Sequence, residues 1–396
     1  MKNGWEHKKL GEILTIERGG SPRPIDSFIT ESPDGINWIK IGDTKGVEKY
    51  ITETREKIRP EGVKRSRMVY EGDFILSNSM SFGRPYILKT KGCIHDGWLV
   101  LRPKEKNIDP DFLYHLLGSP LIFTQFDSLA AGSTVRNLNI DLVKTVEIPF
   151  PPLPEQKRIV AVLDKAFYAI AKAKDNAVKN LANARELFQS YLQNIFANPG
   201  EDWEEKKLGD MGKVSMCKRV FKDQTTTTGD IPFYKIGTFG KVPNAYISKE
   251  IYDEFRKKFS FPKKGDILIS ASGTIGRRVK YDGKPAYFQD SNIVWIDNDE
   301  KQVLNDYLCN FYGACNWDST KGATISRLYN DNLKQIKISF PKSLAEQRAI
   351  VAKLDAFSIE VNKLEGVYQN KLTNLEELKK SILQKAFSGE LVEALS

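Results

Sequence analysis

From Glu155 to Ala197, and again from Glu346 to Ser388, apolar residues recur every seven positions. In the second stretch one row is Leu354, Val361, Tyr368, Leu375 and Ile382. Three residues further on lie Phe357, Leu364, Lys371, Leu378 and Lys385, with Leu372 partly filling the gap at Lys371. The first stretch carries Leu163, Ile170, Ala177, Ala184 and Tyr191, with Ala166, Ala173, Asn180 and Leu187 beside them. A 3.5-residue repeat held over four heptads predicts a coiled coil. Proline is absent from both stretches, and Gly366 is their only glycine. Two helices of about 40 residues, roughly 60 Å each, are expected. Leu163, Ile170, Leu187 and Tyr191 should pack against Leu354, Val361, Leu364, Tyr368, Leu375, Leu378 and Ile382. The Ala-rich first row facing a bulkier second row suits close antiparallel pairing.

Between the helices the period shortens. Runs such as DFILS, GWLVLRP, DILISAS and NIVWID read as strands separated by Gly-rich turns, and DPDFLYHLLGSP and LNDYLCNFYGAC read as helices. This is an α+β pattern with a curved, mixed but largely antiparallel sheet.

The same landmarks occur twice, in the same order. WEHKKLGEI at Trp5 returns as WEEKKLGDM at Trp203. INWIKIGDT at Ile36 returns as IPFYKIGTF at Ile231. GDFILSNSMSFGR at Gly72 returns as GDILISASGTIGR at Gly265, and GSTVRNLN at Gly132 as GATISRLYN at Gly322. The Glu-Gln pair that opens each helix returns at Glu346. The offsets are 198, 195, 193, 190 and 191 residues. Tandem duplication predicts globular units at 1–152 and 199–341, helical spacers at 153–198 and 342–396, and an intramolecular pseudo-two-fold. The copies diverge most between Thr44 and Val69 and between Thr238 and Phe261, as expected of loops on a shared scaffold that read different things.

Charge narrows the partners. A formal charge of +9 favours a polyanion. The doubled loops supply hydroxyls, amides, arginines and glycine-freed N–H groups, which suit phosphates and purine edges. The candidates are Ser77, Asn78, Ser79, Ser81 and Arg84; Ser133, Thr134, Arg136 and Asn137; Ser270, Ser272, Thr274, Arg277 and Arg278; and Thr324, Ser326 and Arg327. Catalytic signatures are missing: there is no P-loop, no Gly-rich dinucleotide turn and no Asn/Asp-Pro-Pro-aromatic run. The four cysteines form no C-x-x-C and only three histidines accompany them, so no metal site is expected. In DGKPAYFQDSN, an Asp with a Lys reads as solvated surface and not as a nuclease centre. No stretch approaches 18 uncharged apolar residues, so no membrane span is expected; MKNGWEHKKL has no apolar run, so no signal peptide is expected, and a cytoplasmic location is.

The W-x-x-K-K-L-G opening, the G-D-[FI]-[IL]-[IL]-S strand and the PFPPLPEQKRIVAVLD helix entrance resemble the specificity subunit of type I restriction-modification systems over nearly the whole chain. The second entrance departs from this, reading P-K-S-L-A-E-Q. The resemblance implies a non-catalytic reader of bipartite double-stranded DNA. Each target-recognition domain would take one half-site, and the paired helices would set the gap. It also implies two modification subunits carrying S-adenosylmethionine, two restriction subunits using ATP and Mg in the full complex, and no cofactor in this chain. Two other readings remain: a coiled-coil adaptor whose ends bind proteins, and a fused methyltransferase-reader, which the missing catalytic motif disfavours.

Overall fold

In a computed structural model the structure describes residues 4–78, 82–130, 137–315, 317 and 328–390. The chain divides into two compact units, 1–177 with 370–396 and 178–369. The division falls inside both long helices. Leu153–Ala197 and Leu344–Ser388 are each 45 residues, and each unit contains half of each helix.

The first unit holds two five-stranded sheets. One runs Leu14–Arg18, Trp98–Pro103, Phe74–Ser77, Pro85–Leu88, Tyr50–Ile51; the other Ile29–Thr30, Glu56–Ile58, Ile36–Ile39, Gly92–Ile94, Arg67–Val69. Most pairs are antiparallel, but Gly92–Ile94 runs parallel to Ile36–Ile39, and Tyr50–Ile51 parallel to Pro85–Leu88. The second unit repeats the plan with fewer strands. Gly212–Ser215, Ile293–Asn298, Ile267–Ser270 and Arg278–Lys280 form one sheet; Tyr246–Ile247, Ile231–Tyr234 and Tyr287–Phe288 form the other. The segment of greatest divergence explains the difference. In the first unit it builds short strands and the 3-10 turn Pro60–Arg65; in the second it builds the helix Lys249–Lys258, anchored by buried Tyr252.

The repeated motifs close each unit on itself. Glu6–Lys9 pairs with Glu147–Phe150, and Trp203–Lys207 with Lys337–Pro341, so each opening strand lies beside the last strand before its helix. Gly72 and Gly265, at φ +90° and +98°, make the left-handed turn that aims the following strand into the core. The Asp after each glycine accepts a backbone N–H, from Tyr70 at 2.9 Å and from Lys263 at 2.7 Å.

The helix entrances are built alike. Gln156 and Gln347 are fully buried. Gln156 accepts the Asp109 N–H at 2.8 Å and donates to the carbonyls of Asn107 and Pro151 at 3.1 and 2.9 Å. Gln347 accepts the Leu304 N–H at 2.9 Å and donates to Gln302 and Pro341 at 2.7 and 2.8 Å. Each glutamine ties its long helix to the chain entering Pro110–Leu117 or Asn305–Ala314. Where the second entrance lacks a proline, Ser343 takes the place of Pro152. Its carbonyl accepts from Gln347 N at 3.1 Å, as that of Pro152 does from Gln156.

Within each unit the helix halves run antiparallel. In the first, Ile159, Val160 and Leu163 join Leu383, Ala386 and Phe387 in one core with Leu10, Phe74, Leu99 and Phe112, and Lys174 pairs with Glu376 at 2.6 Å. In the second, Arg185 pairs with Glu365 at 3.2 Å, and Phe188 and Tyr191 pack on Phe357. Leu163 and Leu354 are fully buried and Val361 nearly so. Ile170, Tyr368, Leu375 and Ile382 are half-buried. Three expected seam residues are corrected: Leu187, Leu364 and Leu378 are 55, 39 and 47% exposed; Tyr191, 38% exposed, packs its ring on Phe357. Half-buried Leu181 and Phe188 replace Asn180 and Leu187, because the companion row advances eight residues between Ala173 and Leu181. That step brings the seam towards the 3.6-residue turn of a straight helix and away from strict heptads.

Candidate nucleic-acid interface

Three neighbouring strands of the first unit end at one edge. Arg18 pairs with Leu99, and Trp98 with Ser77, so the C-termini of two strands meet the N-terminus of the third. Loops leaving this edge are laced together by named bonds. Ser77 N donates to the Arg84 carbonyl at 3.1 Å, and Arg84 N donates to Ser77 Oγ at 3.0 Å, closing the loop between them. Asn78 N bonds the Gly97 carbonyl at 3.0 Å, and Leu138 N bonds the Asn78 carbonyl at 2.9 Å. The chain at Asn137 and Leu138 therefore lies beside Asn78.

A third loop sits at the centre. The His95 ring accepts the Ile41 N–H on Nε2 at 3.1 Å, fixing the turn Ile41–Thr44. Its Nδ1 accepts the Gly97 N–H at 2.6 Å and lies 3.7 Å from the Asp96 carboxylate. Burial first, then Lys40, holds the His95 pKa below its ordinary value. Asp96 Oδ1 accepts the Ser21 hydroxyl at 2.7 Å, which with other contacts lowers the carboxyl's pKa. Arg18 Nε and Asn78 Nδ2 donate to the Asp96 carbonyl at 3.0 and 3.1 Å. Arg23 Nη2 lies 3.9 Å from the carboxylate, its side chain 79% exposed.

The second unit repeats this with different side chains. Ser270 N and Oγ bond Arg277 as Ser77 bonds Arg84, each at 2.8 Å. Leu328 N bonds the Ala271 carbonyl at 2.8 Å, and Ala271 N that of Asn292 at 2.7 Å. Gln289 stands for His95: its Oε1 accepts the Ile236 N–H at 2.9 Å. Asp290 stands for Asp96 and accepts Arg219 Nε at 2.8 Å. Arg277 Nη1 donates to the Phe239 carbonyl at 3.1 Å.

The sequence candidates sort by placement. Ser77, Asn78, Ser270 and Ser272 are buried, so the first and third frame their loops from inside and do not face solvent; Ser272 Oγ bonds Asn292 Oδ1 at 2.7 Å. Arg84 and Thr274 are exposed, Arg277 and Asn137 half-exposed. Arg278 points away from its neighbour, because successive strand residues face opposite sides. Its guanidinium lies within 3 Å of where a Gly313 Cβ would stand, against the helix Asn305–Ala314. Ser79, Ser81, Ser133, Thr134, Arg136, Thr324, Ser326 and Arg327 lie outside the described residues. Residues not singled out in the sequence hold central places: His95, Asp96, Ser21, Arg23, Arg219 and Gln289. Asp290, in the stretch DGKPAYFQDSN, has a side chain only 17% exposed and an arginine partner. The available signal was the shared Asp of CIHDGW and YFQDSN, 194 residues apart.

The sequence profile of the type I restriction modification DNA specificity domain matches residues 2–180 and again residues 200–374. The chain belongs to that family and carries two copies of its DNA specificity domain. A putative type I restriction enzyme specificity subunit of Haemophilus influenzae is 48% identical over 269 residues, 67% of this chain and 68% of the relative. The EcoKI specificity subunit of Escherichia coli is 23% identical over 429 residues, 99% and 90% of the two chains. Two solved chains share the fold. One, from work on complex assembly and conformational transition of the type I R-M system, has a TM-score of 0.78, 21% identity and 99% coverage of both chains. The other, the HsdS subunit from Thermoanaerobacter tengcongensis, has a TM-score of 0.61 and 22% identity, covering 99% of this chain and 98% of that one.

Proposed function

We propose that this chain is the DNA-reading subunit of a type I restriction-modification complex, each unit taking one half of a bipartite target. The carrying observation is the doubled edge. In each unit separate loops are tied into one rigid platform that presents arginines outward, Arg23 and Arg84 in one, Arg219 and Arg277 in the other. Loops on rigid scaffolds are where recognition is built, and pre-organised donors lose less entropy on binding. The differing side chains on equivalent positions suit two different half-sites.

The chemistry of methylation and cleavage belongs, in this reading, to partners. Two modification subunits would bring S-adenosylmethionine, and two restriction subunits ATP and Mg. The long helices would hold the two readers apart, and their exposed faces would carry the modification subunits. Candidate phosphate contacts are Arg84, Thr274 and Arg277, joined by the sequence candidates of 131–137 and 318–327.

Duplex binding by the chain assembled with its modification subunits tests this. Arginine–phosphate contacts release counterions, so affinity should fall steeply and log-linearly with salt. Affinity independent of salt from low to physiological ionic strength would contradict the reading.

A further inference from the structure

The two recognition edges share one fixed acid and differ in what it holds. Asp96 accepts the Ser21 hydroxyl; Asp290, at the equivalent place, accepts Arg219. Ser21 and Arg219 are themselves equivalent, 198 residues apart on the segment that leaves the first strand of each sheet. A constant anchor carrying a variable side chain is the arrangement expected where two copies of one scaffold read different bases.

We propose that Arg219 is a specificity-determining residue that reads a guanine in the half-site taken by the second unit. The proposal rests on the DNA-reading function above. Asp290 is mostly enclosed, its side chain 17% exposed, while that of Arg219 is 60% exposed. The contact engages Nε alone at 2.8 Å, leaving both terminal nitrogens of the fork available. The backbone beneath is fixed from the core: Cys217 is buried, and the fully buried Tyr287 donates its hydroxyl to the Lys218 carbonyl at 3.1 Å. An ion pair this exposed adds little to folding stability, so its value lies in aiming the fork. A planar fork matches the O6 and N7 acceptors of guanine, and no other base edge in the major groove offers two acceptors to it.

The test uses the full chain assembled with its modification subunits and a pool of 40-base-pair duplexes randomised through their centre. Retained duplexes are sequenced for the wild type, Arg219→Ala and Asp290→Asn. The expected wild-type motif has two defined halves, with guanine in one of them. Arg219→Ala should lose the guanine preference at one position, by on the order of 10- to 100-fold, and leave every other position unchanged. Asp290→Asn, which keeps size but not charge, should weaken the preference at that same position. A wild-type motif without guanine, or an unchanged motif in both variants, would overturn the assignment. Uniformly reduced retention with an unchanged motif would do so too, since it marks a structural role. If Arg219→Ala retains no duplex, Asp290→Asn decides: relaxation at one guanine supports the assignment and an unaltered motif overturns it. A wild-type assembly that enriches no motif would instead refute the DNA-reading function itself.

Discussion

His95 and Gln289 perform one task with different chemistry. Each accepts the N–H of an isoleucine, Ile41 or Ile236, and so pins a turn to the strand edge. Only the histidine titrates near neutrality. Burial lowers its pKa in the folded chain, with Lys40 adding to the effect and Asp96 and Asp43 opposing it. The unfolded chain therefore binds the proton first as pH falls. Its contribution is constant above about pH 6.5 and is lost below that, towards the folded value. His115, lowered by burial against Asp164, acts with the same sign. His95→Gln should preserve the turn and remove part of the acid lability. Melting temperatures of variant and wild type should differ more at pH 5.5 than at pH 7.5, in the variant's favour; parallel pH profiles would contradict this. Gln347 poses a second residue-scale test. Gln347→Ala would strip partners from one buried N–H and two carbonyls, costing about 2–4 kcal/mol in urea unfolding. A loss below about 1 kcal/mol would mean water replaces the amide. The Glu-Gln pair was visible in the sequence as a helix entrance, but the glutamine's bonds go to residues 43 to 45 positions earlier or to the preceding strand, which no local pattern reveals. The burial of Ser77 and Ser270 is illegible for a related reason: a hydroxyl that closes a turn and one that meets a phosphate look alike in sequence.

At the scale of elements, strong periodicity was the legible part. The long helices stood out because four heptads and the near-absence of Pro and Gly leave no other conformation that buries the stripe. Their seam was legible in one row only. Ala177 and Ala184 are 1 and 3% exposed, as the row requires, whereas the companion row drifted off its heptad. The sheets were legible as strands but not as two sheets per unit, because short buried strands carry no mark of their partner, and the parallel pairs join segments distant in sequence. The helix Lys249–Lys258 replaces strands within a segment whose divergence is legible in sequence, while its form is not. Helix phase gives the element-scale test of the proposed spacer role. Lys174 pairs with Glu376 and Arg185 with Glu365, so Asn180 and Gln369 lie at facing positions. Adding four residues after each lengthens the pair by roughly 6 Å and rotates the seam by only about 40°. The gap in the target motif should widen by one or two base pairs, at about 3.4 Å each. Two added residues rotate the apolar face by about 200° and should prevent assembly. An unaltered gap after the four-residue change would show that the helices do not set it.

For the whole molecule the duplication is the organising fact. It was readable at once from landmarks repeated in order, and both specificity-domain matches fall on it. What sequence alone could not place was the traffic between copies of a motif and its surroundings: which loops share an edge, and which acid anchors which base. Those depend on strand order, and strand order is set by contacts spread over each unit. The division of each long helix between the two units has the same origin, since its two ends join the cores of different units. If the units read independently, they should be exchangeable. Residues 1–150 replaced by the matching segment of a relative with a different target, in the assembled complex, followed by sequencing of the retained duplexes, tests this most directly. One half of the motif should change to the relative's, while the other half and the gap stay as they were. Change in both halves, or in neither, would contradict the account.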